Sequence, residues 1–235
     1  MLAAVVDAYR RTKKPRDILW NRFVARPLAA VLLVPLARTS VTPNQVTFAT
    51  LVVFVCGAAM LALCPGHGAL IGAAAILEAS YVLDCVDGQL ARWKGMSSPV
   101  GAHLDFLMDE IKAFVLVAAV AVRLWRGTHA ASWLVEGLLG LVAVATAISL
   151  TTFVRRPEYA AATGAAASHG AGDYGTGFDA APAAPSRSPV ALVMSFASFL
   201  AHYPSYILFV AIANRLDLFL HVYAGLHVLH AARSR

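Results

Sequence analysis

Between Leu83 and Lys112 the chain reads LDCVDGQLARWKGMSSPVGAHLDFLMDEIK, and five carboxylates fall inside it: Asp84, Asp87, Asp105, Asp109 and Glu110. The segments on either side are apolar enough to cross a bilayer, where an ionised side chain is costly and marks function. That conflict narrows what the chain can fold into more than any other feature. Residues three or four apart share a helix face. A helix over Tyr81–Trp93 puts Asp84, Asp87, Gly88 and Ala91 on one stripe, and a helix over Val100–Phe114 puts Gly101, Asp105, Asp109 and Lys112 on another. A turn through Lys94–Pro99 folds the two helices back as neighbours, and four aspartates then converge near the membrane surface. Carboxylates crowded in a low dielectric repel one another, so they are partly neutral or hold cations. Oxygen-only ligands suit a hard cation such as Mg²⁺, Mn²⁺ or Ca²⁺.

Composition agrees with a membrane setting. Of 235 residues, 59% are hydrophobic and only 14% charged, and the mean hydropathy is +0.68; soluble domains carry about a quarter charged residues. The hydropathy plan predicts an all-α integral membrane protein with six transmembrane helices, near 44–63, 69–93, 100–124, 130–154, 189–213 and 218–232. An N-terminal interfacial amphipathic helix precedes them. Residues 1–14 read as a short polar, basic arm. In 14–38, Trp20 and Phe23 interleave with Arg16, Arg22 and Arg26, a pattern for the headgroup layer. The apolar run 27–37 is too short to span and is bracketed by Pro27 and Pro35. The domain plan is thus an arm and interfacial helix over 1–40 and a catalytic membrane domain over 41–235. Within the latter, alanine-, glycine- and serine-rich residues 157–187 form a flexible loop.

The net charge of +6 does not call for nucleic acid, because the basic residues cluster beside apolar runs. With the N-terminus cytoplasmic, six spans place fifteen Lys and Arg inside and three (Arg123, Arg126, Arg215) outside, with Lys112 within the third span. That bias predicts both termini and the acidic site on the cytoplasmic face of the inner membrane. Cys56, Cys64 and Cys85 lack paired or metal-type spacing and read as small buried residues. No signal peptide is recognisable.

The series Asp84-x-x-Asp87-Gly88-x-x-Ala91-Arg92, eight residues, Gly101-x-x-x-Asp105-x-x-x-Asp109 resembles the signature of the CDP-alcohol phosphotransferases at all eight defining positions. A softer likeness covers Val41–Thr47 and the hydropathy plan. The resemblance implies transfer of a phosphatidyl group from a CDP-linked lipid to a polar alcohol with release of CMP. It also implies dependence on Mg²⁺ or Mn²⁺ and a homodimer. Two divalent ions can clamp such an in-line displacement, with Asp84, Asp87, Asp105 and Asp109 as their ligands. By resemblance Asp109 is also the general base, while Gly88, Ala91 and Arg92 help hold the cytidine diphosphate. Gly101 is expected to let the second and third spans approach closely, and Thr42 and Asn44 to reach the same pocket from the first.

Other polar residues carry blander readings beside functional ones. Lys112 is an ion-pair partner of the acids or a contact to substrate phosphate. Arg155 and Arg156 mark topology or bind a phosphate on the acceptor, which tilts the acceptor toward inositol phosphate. Glu78 reads as a bundle-facing contact. His202, His221, His227 and His230 have no metal-type spacing for an i, i+4 pair and suit interfacial packing, and His103 is surface-lying. A cation transporter would spread its acids through the bilayer depth, and an inactive lipid-binding relative would have lost a motif aspartate. Here the acids gather near one face, and none is missing.

Overall fold

A computed structural model describes residues 2–14, 17–154, 156, 158–159 and 202–233. The protein is an all-α integral membrane protein. Its helices are α1 (Leu2–Thr12), α2 (Arg26–Leu36), α3 (Pro43–Leu63), α4 (His67–Lys94), α5 (Pro99–Thr128), α6 (Ser132–Val154), α7 (Ile207–Ile212) and α8 (Leu216–Arg233). A π-helical turn, Asn21–Ala25, feeds α2. Among the described residues α3, α4 and α6 are long and apolar enough to cross a bilayer. At 30 residues α5 is the longest helix among the described residues, and α8 is a shorter apolar one. Of the expected fifth span only the end is described. A 3₁₀ turn at Tyr203–Ser205 leads there into short α7, because Pro204 lacks the N–H that a continuous helix needs.

Local chemistry sets the ends of the two acidic helices. Gly95 closes α4 in the left-handed region (φ 65°), where glycine pays no Cβ penalty. Ser98 then starts α5, its hydroxyl accepting from the Gly101 amide at 3.0 Å, with Pro99 in the first turn. Thr42 and Gln45 cap α3 reciprocally, Gln45 Oε1 accepting from the Thr42 amide at 2.9 Å and Thr42 Oγ1 from the Gln45 amide at 3.4 Å.

Two apolar cores follow. The larger joins α3, α4, α5, α6, α7 and α8 around Phe54, Leu77, Leu116, Val144 and Phe219. The smaller joins α1 and α2 to the acidic end of α4 through Ala8, Ala25, Leu33, Val46, Val86 and Leu90. One expectation needs correction here. The segment expected as a short polar, basic arm over 1–14 is helical over Leu2–Thr12 and not polar all round, since Ala8 and Thr12 are buried. Val5, Ala8, Tyr9 and Thr12 recur at helical spacing, and that stripe packs on the rest while Arg10 and Arg11 stay at the surface.

A second correction concerns the acidic hairpin. Helices α4 and α5 do not lie backbone against backbone; each packs along α3 instead. The two helices meet instead through long side chains, Lys112 of α5 reaching Asp84 of α4. Gly101 accordingly faces not α4 but the start of α3: a Cβ there would stand 3.4 Å from Asn44 Oδ1 and 3.2 Å from Ser98 Oγ.

Candidate active site

Across the gap between α4 and α5, one carboxylate oxygen each from Asp84, Asp105 and Asp109 gathers within 4.8 Å of the others. Three acids so close would repel strongly if nothing offset their charge. Lys112, 3% exposed, lies one turn beyond Asp109 and pairs with Asp84 across the gap and with Asp109 at 3.0 Å. Its single charge cannot neutralise three carboxylates. The Oδ1 atom of Asp105 is buried and accepts no hydrogen bond among the described residues. A buried acceptor left without a donor costs free energy, so the cluster has the donor type and spare ligand capacity that a divalent cation requires. The residues present therefore fit Mg²⁺ or Mn²⁺.

Asp87 stands apart from this trio. It is 5% exposed, and its Oδ2 accepts the Thr47 hydroxyl of α3 at 2.6 Å. Sequence reasoning missed Thr47, which lies 40 residues away with no local signal linking the pair. Glu78 sits earlier on α4, about two turns before Asp84, with its Oε1 buried and Trp20 of the preceding segment as a neighbour. Thr42 is occupied in capping α3. His103 is exposed, with Nδ1 2.7 Å from the Pro99 carbonyl.

Gly88, Ala91 and Arg92 of the signature follow on the last turns of α4. Gly88 carries the Arg92 guanidinium over it: a Cβ at Gly88 would meet Arg92 Nη1 at 3.4 Å and Nη2 at 3.8 Å. Arg92 Nε donates to the Thr12 carbonyl of α1 at 2.8 Å, and Nη2 is buried without an acceptor among the described residues. Ala91 is half-buried beside it. Arg156 is exposed just past α6, and Arg155 lies outside the described residues.

Beneath these groups a buried polar network ties the interfacial segment to α4. Arg26 and Asn21 both donate to Asp17, Asn21 at 2.9 Å. Tyr81 donates to Asn21 Oδ1 at 2.6 Å, and His202 Nε2 is 2.7 Å from the Tyr81 hydroxyl. Gln89 donates to the Arg26 carbonyl at 3.1 Å. Two of these bonds, Tyr81 to Asn21 and Gln89 to the Arg26 carbonyl, cross between the segment and α4, so the start of α2 is fixed to the helix that carries Asp84 and Asp87. Apart from the i, i+4 pair Asp17–Asn21, none of these partners was legible from sequence spacing.

Helices that bring three carboxylates to one end of a membrane bundle define a membrane protein with an acidic, cation-ready site. The particular family follows from comparison. Residues 40–220 match the CDP-alcohol phosphatidyltransferase family, and the chain belongs to it. Among characterised proteins, a bifunctional IPC transferase and DIPP synthase of Aquifex aeolicus is 29% identical over 103 residues, 44% of this chain and 23% of that protein. A phosphatidylinositol phosphate synthase of Corynebacterium glutamicum is 33% identical over 108 residues, 46% of this chain and 44% of that protein. The chain thus aligns with less than half the length of either relative.

Proposed function

We propose that the protein transfers a phosphatidyl group from a CDP-linked lipid such as CDP-diacylglycerol to the hydroxyl of a polar alcohol, releasing CMP. The observation that carries this reading is the trio Asp84, Asp105 and Asp109, gathered within 4.8 Å inside the family's matched region. In the reaction the acceptor oxygen forms a bond to the lipid-linked phosphorus as the bond from that phosphorus to the CMP oxygen breaks. Asp109 takes the hydroxyl proton, which makes the alcohol a competent nucleophile. Asp84, Asp105 and Asp109, with Asp87 behind them, would hold Mg²⁺ or Mn²⁺, and two such ions would supply charge neutralisation at the diphosphate and the leaving phosphate. Gly88 and Ala91 leave space along α4 for the nucleotide, Gly101 for its approach between α3 and α5, and Arg92 offers a guanidinium to a phosphate.

The acceptor is proposed to be a phosphorylated alcohol such as inositol phosphate. The name of the Corynebacterium relative supports this, as does the Arg155–Arg156 pair at the end of α6. The charge bias along the chain supports a cytoplasmic site in the inner membrane with both termini cytoplasmic, and the family a homodimer. The test is incubation of purified protein with labelled CDP-diacylglycerol, Mn²⁺ and a panel of alcohols. Release of CMP is expected with inositol phosphate and little with serine or choline. No CMP with any alcohol would overturn the enzymatic reading, and a preference for an uncharged alcohol would overturn the acceptor.

A further inference from the structure

The first helix touches the signature at Arg92, and nothing in the proposed reaction gives that helix a task. Its C-terminal turn meets the end of α4 twice. The Thr12 carbonyl accepts from Arg92 Nε at 2.8 Å, and the Arg11 guanidinium lies over the Trp93 ring, 5.4 Å from its centroid. This is a seated contact rather than a passing one. Ala8 and Thr12 are each 1% exposed, Thr12 Oγ1 donates back to the Ala8 carbonyl at 2.7 Å, and the Tyr9 hydroxyl donates to the Arg22 carbonyl at 3.2 Å.

The chemistry of that contact is directional. The last carbonyls of a helix have no intrahelical donor and sit at the negative end of its dipole, where a cation is favoured. Arginine has a flexible stem but a rigid planar fork, so fixing Nε fixes the plane in which both Nη groups point. Here that plane lies over Gly88, on the stripe that continues from Asp84. Of the guanidinium's donors, Nη2 is buried and has no acceptor among the described residues. A buried donor left idle costs free energy unless something else accepts from it. An oxyanion delivered beside Gly88 is the partner this geometry suits.

We propose that α1 is a positioning element of the nucleotide site, its terminal carbonyl at Thr12 holding the Arg92 guanidinium over Gly88 for the diphosphate of the CDP-linked donor. This rests on the reading of the function above. Removing α1 leaves Arg92 in place chemically but lets its fork swing, so donor binding weakens while the acid cluster keeps its work. The same contact makes the N-terminal helix sense whether nucleotide is bound.

Three measurements test it. Deletion of residues 2–12 should raise the KM for CDP-diacylglycerol about tenfold, the cost of one hydrogen bond to a charged group, with kcat within about twofold. Arg92→Ala should do the same, and the two changes together should do no more than Arg92→Ala alone, since coupled groups are non-additive. Ala8→Trp, which lifts α1 without shortening the chain, replaces the deletion if the shorter chain does not fold. In the unaltered protein, CDP with Mg²⁺ should slow hydrogen exchange at the amides of residues 9–14. Multiplicative effects of the two changes, an unshifted KM, or exchange in α1 indifferent to CDP would each overturn the proposal. A wild-type protein that never consumes CDP-diacylglycerol yet protects α1 on adding CDP would sink the reaction and leave the positioning intact.

Discussion

Two arginines, one at each end of the bundle, are used in opposite ways. Arg123, near the end of α5, donates to the carbonyls of Leu61, Cys64 and Gly66 at 3.0, 2.8 and 2.7 Å, tying the close of α3 to the turn before α4. Its neighbour Arg126 adds a longer contact to the Leu63 carbonyl at 3.4 Å. At the acidic end Arg92 Nε has one carbonyl, and among the described residues its Nη2 finds no acceptor and Asp105 Oδ1 no donor. Hydrogen-bonding capacity is consumed by the fold at one end and held in reserve at the other. Structural arginines satisfy the backbone, whereas a working site keeps donors and acceptors for a ligand and bears the cost.

The contrast breaks or sharpens under substitution. Asp109→Asn should lower turnover by ~10²–10⁴-fold, the usual worth of a positioned base, while CDP binding measured by titration persists; full activity would remove Asp109 from the role of base. Next in size, Lys112→Met should destabilise the protein by ~3–5 kcal/mol, since it leaves Asp84 and Asp109 without their buried partner, and Mn²⁺ should restore part of the loss in thermal unfolding. A loss that Mn²⁺ does not touch would argue that the acids do not hold metal. Thr47→Val removes the hydroxyl from Asp87 and should cost ~1–3 kcal/mol in stability. Arg123→Ala is expected to be the mildest, ~1 kcal/mol, because its three carbonyls lie where water can replace it. Its KM for CDP-diacylglycerol should stay within about twofold of wild type. A tenfold rise would mean that the two ends are not divided as described.

The acidic stripes were legible because helical periodicity needs only local spacing, and Asp84, Asp105 and Asp109 come together as that spacing requires. The helical class was legible for the same reason, with hydropathy runs marking α3, α4, α5 and α6 to within a few residues at most ends. What the sequence hid is tertiary. Nothing between Thr47 and Asp87, or between Asn21, Tyr81 and His202, announces that these side chains meet. The adjacency of α4 and α5 was inferred from their short connection, but a short loop fixes only the distance between helix ends. The helix at residues 2–12 carries a local signal, the stripe of Val5, Ala8, Tyr9 and Thr12, but the basic run Arg10, Arg11, Lys13 and Lys14 beside it masks that apolar face in the composition.

Because α4 and α5 each lean on α3, the aperture between the two sets of carboxylates is governed by a helix that contributes none of them. Gly57 on α3 is one close point of that fulcrum, where a methyl group would come within 2.9 Å of Ile76 Cγ2 on α4. A larger residue there would have to displace the Ile76 side chain, about two turns before Asp84 on the same helix, without altering a single acidic side chain.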